Sequence, residues 1–490
     1  MAQDKAETGD LQKWLSEIGA GLDTFLAFKH PDAMTDHDQW HDYLNMPLPE
    51  KGVGIEAVTA DLVNHIIPFG SAIPRPGFTG YITTGSTSAS TLASTAASIA
   101  SPQRYGHNAF NFLEALSLEW LANLFGIGHL QGVYSSGGSV ANLVALGGAR
   151  QSAFEKVGID PAMQGVSRPV SLYASAECHH TIQRSAGVLG VGRQSVKLIA
   201  CDAHGRMRVD LLEKAILDDL AAGVMPMAIV ANAGTTNTGA IDPLQAMGLL
   251  AQKYDIWYHI DGAYGLPGIL DEAVKPLYQG LEMADSVIVD PHKWLGASVG
   301  IAATFVRDRQ VLLRAFTQEP ADYLEGSVAH SAQSEPTIVH SMDDFGIPYF
   351  DFGVELSAPA RGVAVWAMIR EIGAEGLRAR VKRHNGMART LSTLAHAHPR
   401  LAVVSEPTLS ICCFRYVRDG IADLDAFNQQ LCRLLVRENK LLPSTTRVNG
   451  VLAIRPCYVG ARAETEQVAA LVAAVVRIGD ALFETSHNMS

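Results

Sequence analysis

The chain has little of what marks several large protein classes. Its 490 residues include only six cysteines and no C-x-x-C pair, so the sequence indicates neither a zinc motif of that kind nor a disulfide-rich scaffold. Lys and Arg number 38 against 50 Asp and Glu, which gives a net charge of −12, unlike the basic surface of a nucleic-acid-binding protein. We therefore expect no metal and no nucleic-acid partner.

Long hydrophobic runs are also absent. The N-terminal residues contain no apolar signal-peptide core, and the longest apolar run near the C-terminus, 468–476, is well short of the ~20 residues that span a bilayer. Even so, 48% of the residues are hydrophobic, a proportion typical of folded rather than disordered chains. We expect a cytoplasmic protein with no membrane partner, a large buried core and several domains.

Three regions differ in their hydrophobic pattern. An amphipathic helix at 11–29 begins an N-terminal arm, 1–84, whose remainder is rich in Pro and Gly and predicts irregular connections with one short helix. Strand and helix patterns alternate over 85–395, which predicts a large α/β domain. Short strands interleaved with helices over 396–490 predict a small C-terminal α+β domain.

Chemically active residues follow the predicted strands of the α/β domain. Because ligands bind at the carboxyl ends of strands in open α/β sheets, these residues are candidates for one site. Asp261 ends one strand, Lys293 follows another, His179 follows a third, and Ser-Gly-Gly-Ser at 136–139 precedes a helix. Each also has an ordinary structural interpretation, as a helix cap, an ion-pair partner or a surface lysine.

Together, however, these residues meet the requirements of a single cofactor. A lysine amine can condense with an aldehyde, and a carboxylate can keep a pyridine nitrogen protonated. An imidazole can stack on a ring, and a glycine-containing helix start can hold a phosphate with its free N–H groups. Pyridoxal 5'-phosphate (PLP) needs all four, so the combination is far more specific than any one member.

The segments that carry these residues resemble the group II PLP-dependent decarboxylases, the family of aromatic-L-amino-acid, histidine and glutamate decarboxylases. The similarity is strongest in DPHKW at 290–294, and it includes HIDGAY at 259–264, GTT at 234–236 and SGGSVAN at 136–142. The resemblance implies fold type I, the aspartate aminotransferase-like α/β fold of PLP-dependent transferases. That fold has a mostly parallel seven-stranded sheet with helices on both faces.

The resemblance also implies a role for each matching residue. Lys293 would be the Schiff-base lysine, Asp261 the partner of the pyridine nitrogen, and His179 the imidazole that stacks on the ring. The other cofactor-binding residues that it implies are Gly138, Ser139, Thr236, Ala263 and His292.

Two further segments bear on the reaction. Tyr81 and Thr84 match the substrate side of the family's site, although an ordinary loop is an equally good interpretation of that segment. Tyr323, within a non-periodic stretch at 318–352, matches the tyrosine of a mobile loop that protonates Cα after CO₂ leaves. Family members with Phe at that position form aldehydes instead. An ordinary loop aromatic is the alternative interpretation of Tyr323.

The predicted function is decarboxylation of an L-amino acid, aromatic or related, to the amine and CO₂ in a homodimer with a shared active site. The alternatives are decarboxylation of an acidic amino acid, a PLP-dependent aldehyde synthase and a retro-aldol lyase. Arg104, His107 and Asn108 fall near the expected substrate entrance, which argues against an aromatic pocket. A binding protein that retains the fold is disfavoured, because the lysine, carboxylate and phosphate elements are all present.

Overall fold

A computed structural model describes residues 10–29, 37–317 and 346–488 of the chain. Its α-helices are α1 Leu11–Leu26, α2 His37–Leu44, α3 Ile55–Asp61, α4 Ser88–Ala100, α5 Ala109–Leu124, α6 Gly138–Glu155, α7 Pro161–Gln164, α8 Thr181–Val188, α9 Val209–Ala221, α10 Leu244–Lys253, α11 Gln310–Phe316, α12 Gly362–Ala397, α13 Leu424–Arg437 and α14 Glu466–Asn488. Its strands are β1 Phe78–Thr79, β2 Gln131–Ser135, β3 Val170–Ser175, β4 Val196–Ile199, β5 Met225–Asn232, β6 Trp257–Asp261, β7 Ser286–Val289, β8 Ala302–Val306, β9 Leu401–Ser405, β10 Cys413–Tyr416, β11 Leu442–Val448 and β12 Val451–Arg455. Among these helices none is both long and apolar enough to cross a membrane.

The larger sheet has seven strands in the order β2-β8-β7-β6-β5-β3-β4. Neighbouring strands are parallel except at β8, which runs antiparallel to β2 on one side and to β7 on the other. The predicted α/β fold with a mostly parallel seven-stranded sheet is therefore confirmed. The pattern did not predict β2, whose short sequence begins with Gln-Gly, two residues that carry no strand signal.

Helices cover both faces of this sheet. Ile229 and Ala231 of β5 belong to one hydrophobic cluster, while Ala228 and Val230 of the same strand belong to another, and all four are fully buried. Because successive side chains of a strand point to opposite faces, the two clusters lie on opposite sides of the sheet. Burial on both faces is what a parallel sheet requires.

The smaller sheet lies in the C-terminal region, with strand order β1-β11-β12-β10-β9. Its first strand, β1, comes from the predicted N-terminal arm and pairs in parallel with β11, with Phe78 opposite Leu442. The expectation of one short helix in that arm is wrong, because both α2 and α3 lie there. The domain boundaries after residues 84 and 395 stay predictions.

The long helical segment α12, which is kinked at Gly373, packs closely against α5. Gly362, at the start of α12, lies so near α5 that a Cβ built on it would fall 2.4 Å from the Cα of Glu114. The Gly362 N–H donates to Glu114 Oε2 at 2.7 Å. Burial raises the pKa of Glu114 to about 7, although this hydrogen bond works in the opposite direction. A carboxyl group that ionises near neutral pH is thus part of the helix contact.

Glu114 should make stability depend on pH. Its folded-state pKa of about 7 exceeds the ordinary value of 4.5, so at intermediate pH the folded chain keeps a proton that the unfolded chain has lost. The contribution is full below pH 4.5 and is lost as the pH rises through 7. Between pH 5 and pH 8, we expect the free energy of unfolding of the wild type to fall by about 2–3 kcal/mol relative to Glu114→Gln.

Urea unfolding of both proteins at the two pH values measures this difference. Glu119→Gln is the matched control, since Glu119 lies on the exposed side of the same helix and its variant should keep the pH dependence of the wild type. If the free energy of unfolding changes equally with pH in the wild type and in Glu114→Gln, Glu114 has no such role.

Candidate active site

A cavity of about 620 Å³ opens at the carboxyl ends of the central strands. Asn232 and Asp261, which end β5 and β6, and Asp290, which follows β7, all line it. Its volume is in the range of small-molecule sites. Nine of the residues predicted from the sequence to form the site also line it, namely Tyr81, Gly138, Ser139, His179, Thr236, Asp261, Ala263, His292 and Lys293.

Of the two other predicted residues, Thr84 does not line the cavity. Thr84 is buried, and its hydroxyl accepts a hydrogen bond from the Ala461 N–H at 2.9 Å, so it joins two segments of backbone. Tyr323 lies outside the described residues.

The lysine of the cavity forms a buried ion pair. Lys293 Nζ lies 2.8 Å from Asp290 Oδ2, and Asp290 is almost completely buried. Burial, the largest single effect, would lower the pKa of Lys293, but the charge and hydrogen bond of Asp290 together with the charge of Asp261 outweigh it and raise the pKa above its usual value. The amine is therefore protonated at neutral pH until its partner or its proton is displaced. His292, between the two in sequence, donates its Nδ1–H to the Ile301 carbonyl at 2.6 Å.

Asp261 is held by one hydrogen bond on each oxygen. Its Oδ1 accepts the Ala263 N–H at 3.0 Å, and its Oδ2 accepts Asn142 Nδ2 at 3.0 Å. Both donors are neutral, so they orient the carboxylate without cancelling its charge. Asn142 also lines the cavity, and no role for it was predicted.

His179 lies in the same cavity as a neutral ring. Burial lowers its pKa, while the charge of Asp261 opposes the shift. Its Nδ1 lies 2.9 Å from Thr181 Oγ1. A neutral, partly buried imidazole is suited to stacking against an aromatic ligand.

Arg455 holds together two parts of the cavity wall. It is buried, and its Nε and Nη2 donate to the carbonyls of Asn237 and Thr236. Its Nη1 donates to the carbonyl of Tyr81 at 3.0 Å. Tyr81 has φ = 54°, a left-handed conformation that is uncommon for residues other than glycine, and this bond helps to stabilise it. The sequence alone assigns no role to Arg455, because its partners are backbone groups.

The described residues contain no group of three or more His, Cys, Asp or Glu side chains that could hold a metal ion.

The model of the pyridoxal-dependent decarboxylase conserved domain matches residues 38–417 of the chain. The chain belongs to this family.

The similarity to individual pyridoxal-dependent decarboxylases agrees with that assignment. The chain is 31% identical over 360 residues to an aromatic-L-amino-acid decarboxylase from Bacillus atrophaeus, over 73% of this chain and 70% of the relative. It is also 31% identical over 313 residues to a cysteine sulfinic acid decarboxylase from Mus musculus, over 63% of this chain and 60% of the relative. A solved structure of Oryza sativa TDC with PLP and tryptamine aligns with a TM-score of 0.83. At 21% identity over 98% of this chain and 100% of that one, it shows the fold alone.

As a pyridoxal-dependent decarboxylase the protein uses PLP, and the cavity fits this cofactor. Helix α6 begins at Gly138, and the first N–H groups of a helix have no acceptor within it, so they can receive a phosphate. A Cβ on Gly138 would lie 2.6 Å from Asp290 Oδ2, so any larger residue would displace that carboxylate. An amine, a carboxylate and an imidazole face the same space, which are the three groups that the rest of the cofactor needs.

Proposed function

We propose that the protein decarboxylates an L-amino acid with an aromatic or related side chain to the amine and CO₂. The observation that carries this proposal is that Lys293, Asp261 and the helix start at Gly138 share one cavity. In the proposal, Lys293 would hold PLP covalently through the cofactor aldehyde, the group that also reacts with a substrate amine.

The residues around Lys293 have complementary tasks. PLP supplies a ring that accepts the electron pair left behind when CO₂ departs. Asp261 keeps the ring nitrogen protonated, and the N–H groups of Gly138 and Ser139 hold the phosphate. Thr236, Ala263 and His292 complete the proposed cofactor-binding set. Tyr81 lies at the substrate side, where it is 71% exposed within one chain.

Two of the three polar residues that argued against an aromatic substrate have structural tasks. Arg104 is buried and donates to the backbone carbonyls of Tyr134 and Glu355. Asn108 caps α5, because its side chain accepts from the N–H groups of Phe110 and Asn111. Neither residue lines the cavity. The presence of Arg104 and Asn108 in the sequence is therefore no reason to expect a polar substrate.

The charges available to a substrate also favour an uncharged side chain. Among the described residues that line the cavity, Lys293 is the one Lys or Arg. An acidic substrate side chain would need a cationic partner, since burial of an unpaired charge is costly. The B. atrophaeus relative, by its name, acts on aromatic amino acids.

A panel of amino acids tests the substrate class. We expect at least one of phenylalanine, tyrosine, tryptophan and 3,4-dihydroxyphenylalanine to release CO₂ with an equal amount of amine. Its kcat/KM should exceed the values for aspartate, glutamate and cysteine sulfinate by about 100-fold or more, because the acidic side chains lack a cation. Lys293→Ala is the control and should release no CO₂. Faster turnover of an acidic amino acid would overturn the substrate class but not the reaction.

Tyr323 is proposed as the residue that donates the proton to Cα after CO₂ leaves. Tyr323→Phe should lower amine formation by about 100-fold, the size of a general-acid contribution, and an aldehyde should appear as dioxygen is consumed. Chromatography of amine and aldehyde, with an oxygen electrode, measures both. If Tyr323→Phe forms amine at the wild-type rate, Tyr323 is not the donor. If the wild type itself forms the aldehyde, the protein is an aldehyde synthase.

We also propose a homodimer in which α1 packs against the second chain. Within one chain no residue of α1 is buried, although the helix is amphipathic and exposes Leu11, Leu15 and Leu22. Exposed apolar side chains along one helix are typical of an interaction site.

A charge on α1 should disrupt that dimer. Sedimentation equilibrium should give twice the chain mass for the wild type, and Leu15→Asp should raise the dissociation constant of the dimer by about 30-fold or more. Leu217→Asp, on α9, is the control, because Leu217 is 49% exposed and Leu15 is 44% exposed. A monomeric wild type, or equal dissociation constants for the two variants, would contradict the role of α1.

A further inference from the structure

The carboxylate of Asp261 fixes the orientation of the Asn142 amide behind the cavity. An ionised carboxylate can only accept hydrogen bonds, so the group 3.0 Å from Asp261 Oδ2 must be the amide nitrogen of Asn142. The amide oxygen then points the other way, and it lies 2.8 Å from Nε2 of His259. An amide oxygen accepts, so His259 carries its proton on Nε2.

The donors and acceptors of the next hydrogen bonds, which lead away from the cavity, can be assigned in the same way. Burial lowers the pKa of His259 to about 4, so the ring has one proton and its Nδ1 accepts. The hydroxyl of Ser286, 2.8 Å away, donates to this Nδ1. Ser286 Oγ in turn accepts the indole N–H of Trp257 at 2.8 Å, and an indole nitrogen can only donate. We call Trp257, Ser286 and His259 the buried relay.

A second branch leaves Asn142 on the cavity side. The other proton of Asn142 Nδ2 is directed to Thr181 Oγ1 at 3.2 Å. With its oxygen occupied as an acceptor, the Thr181 hydroxyl donates to Nδ1 of His179 at 2.9 Å. The Thr181 N–H also faces this Nδ1, at 3.4 Å. The two nearby donors place the single proton of His179 on Nε2.

We propose that Asn142 is a positioning residue that orients Asp261 and His179 at the same time, and that the buried relay locks its amide in place. A flipped amide would set its oxygen against the Asp261 carboxylate and its nitrogen against the His259 N–H, so both contacts would become repulsive. Every member of the relay is neutral. It therefore fixes the carboxylate without reducing the negative charge that attracts a protonated ring nitrogen.

This inference rests on the proposed pairing of Asp261 with the ring nitrogen, and it does not depend on the substrate. The matched control variant comes from β8, the strand that pairs with β7, where Ser286 lies. Thr304 of β8 is also fully buried, and its hydroxyl donates to the Ala141 carbonyl at 3.0 Å, a bond that does not lead to Asp261. Ser286→Ala and Thr304→Val each remove one buried hydroxyl.

The test compares the binding of two ligands to cofactor-free protein by absorbance titration. One ligand is PLP, and the other is its deaza analogue with carbon in place of the ring nitrogen. Ser286→Ala should weaken PLP binding by about three- to tenfold, as expected for one lost hydrogen bond, and should leave analogue binding unchanged. Thr304→Val should leave the ratio of the two dissociation constants at the wild-type value.

Asp261→Ala separates the two proposals. If this substitution weakens the binding of PLP and of the deaza analogue equally, the pairing of Asp261 with the ring nitrogen is wrong. If Asp261→Ala selectively weakens the binding of PLP but Ser286→Ala does not, the buried relay has no positioning role.

The direction of the relay has an independent readout. Nitrogen-15 NMR of histidine-labelled protein without cofactor should show His259 and His179 with the proton on Nε2, and His259→Gln and His179→Gln assign the two signals. Ser286→Ala should change the His259 signal toward a mixture of tautomers. A proton on Nδ1 of His259 in the wild type would overturn the proposal.

Discussion

Charge buried at the carboxyl ends of β6 and β7 governs how the surrounding chain is arranged. Two carboxylates, Asp261 and Asp290, face one cavity with a single amine, Lys293, beside them. A charge removed from bulk water must be stabilised by an opposite charge or by hydrogen bonds, and the two carboxylates are stabilised in different ways. Asp290 is paired with the amine, whereas Asp261 is held by neutral donors and keeps its charge for a ligand. The two acids are therefore chemically distinct although they end neighbouring strands.

The parts of the site that the sequence could predict are those in which local order and chemistry coincide. Asp261 ends one apolar strand, Lys293 lies four residues after the end of another, and Gly138 begins a helix, so position and residue type both pointed to the same place. The parallel sheet then brings these strand ends together, because all such strands end at one edge. The α/β class of the fold was predicted for the same reason, from alternating patterns that each lie within a few residues, whereas the number of strands was implied by the family resemblance.

The parts that could not be predicted depend on contacts between distant segments. Thr84 was expected beside Tyr81 in the site, but its hydroxyl is bound to the backbone at Ala461. Arg104 was placed near the substrate by sequence position, and its guanidinium is in fact directed into the protein. The roles of Asn142 and the buried relay were not predicted, because hydrogen bonds between side chains of distant segments leave no periodic signal. The sequence shows what chemistry a side chain can perform, but it does not show which distant group that side chain contacts.

The pairing of β1 with β11 has a consequence for how the protein is made. Phe78 lies opposite Leu442, and the carbonyl of Tyr81 is bound to Arg455, so this wall of the cavity closes a loop of more than three hundred residues. On a ribosome, the strands that carry Asp261 and Lys293 emerge well before Arg455 does. The cofactor-binding strands can thus be in place while the wall at Tyr81 still lacks its support. Closing so long a loop is entropically unfavourable and late in folding, so a nascent or truncated chain presents an open, unfinished site.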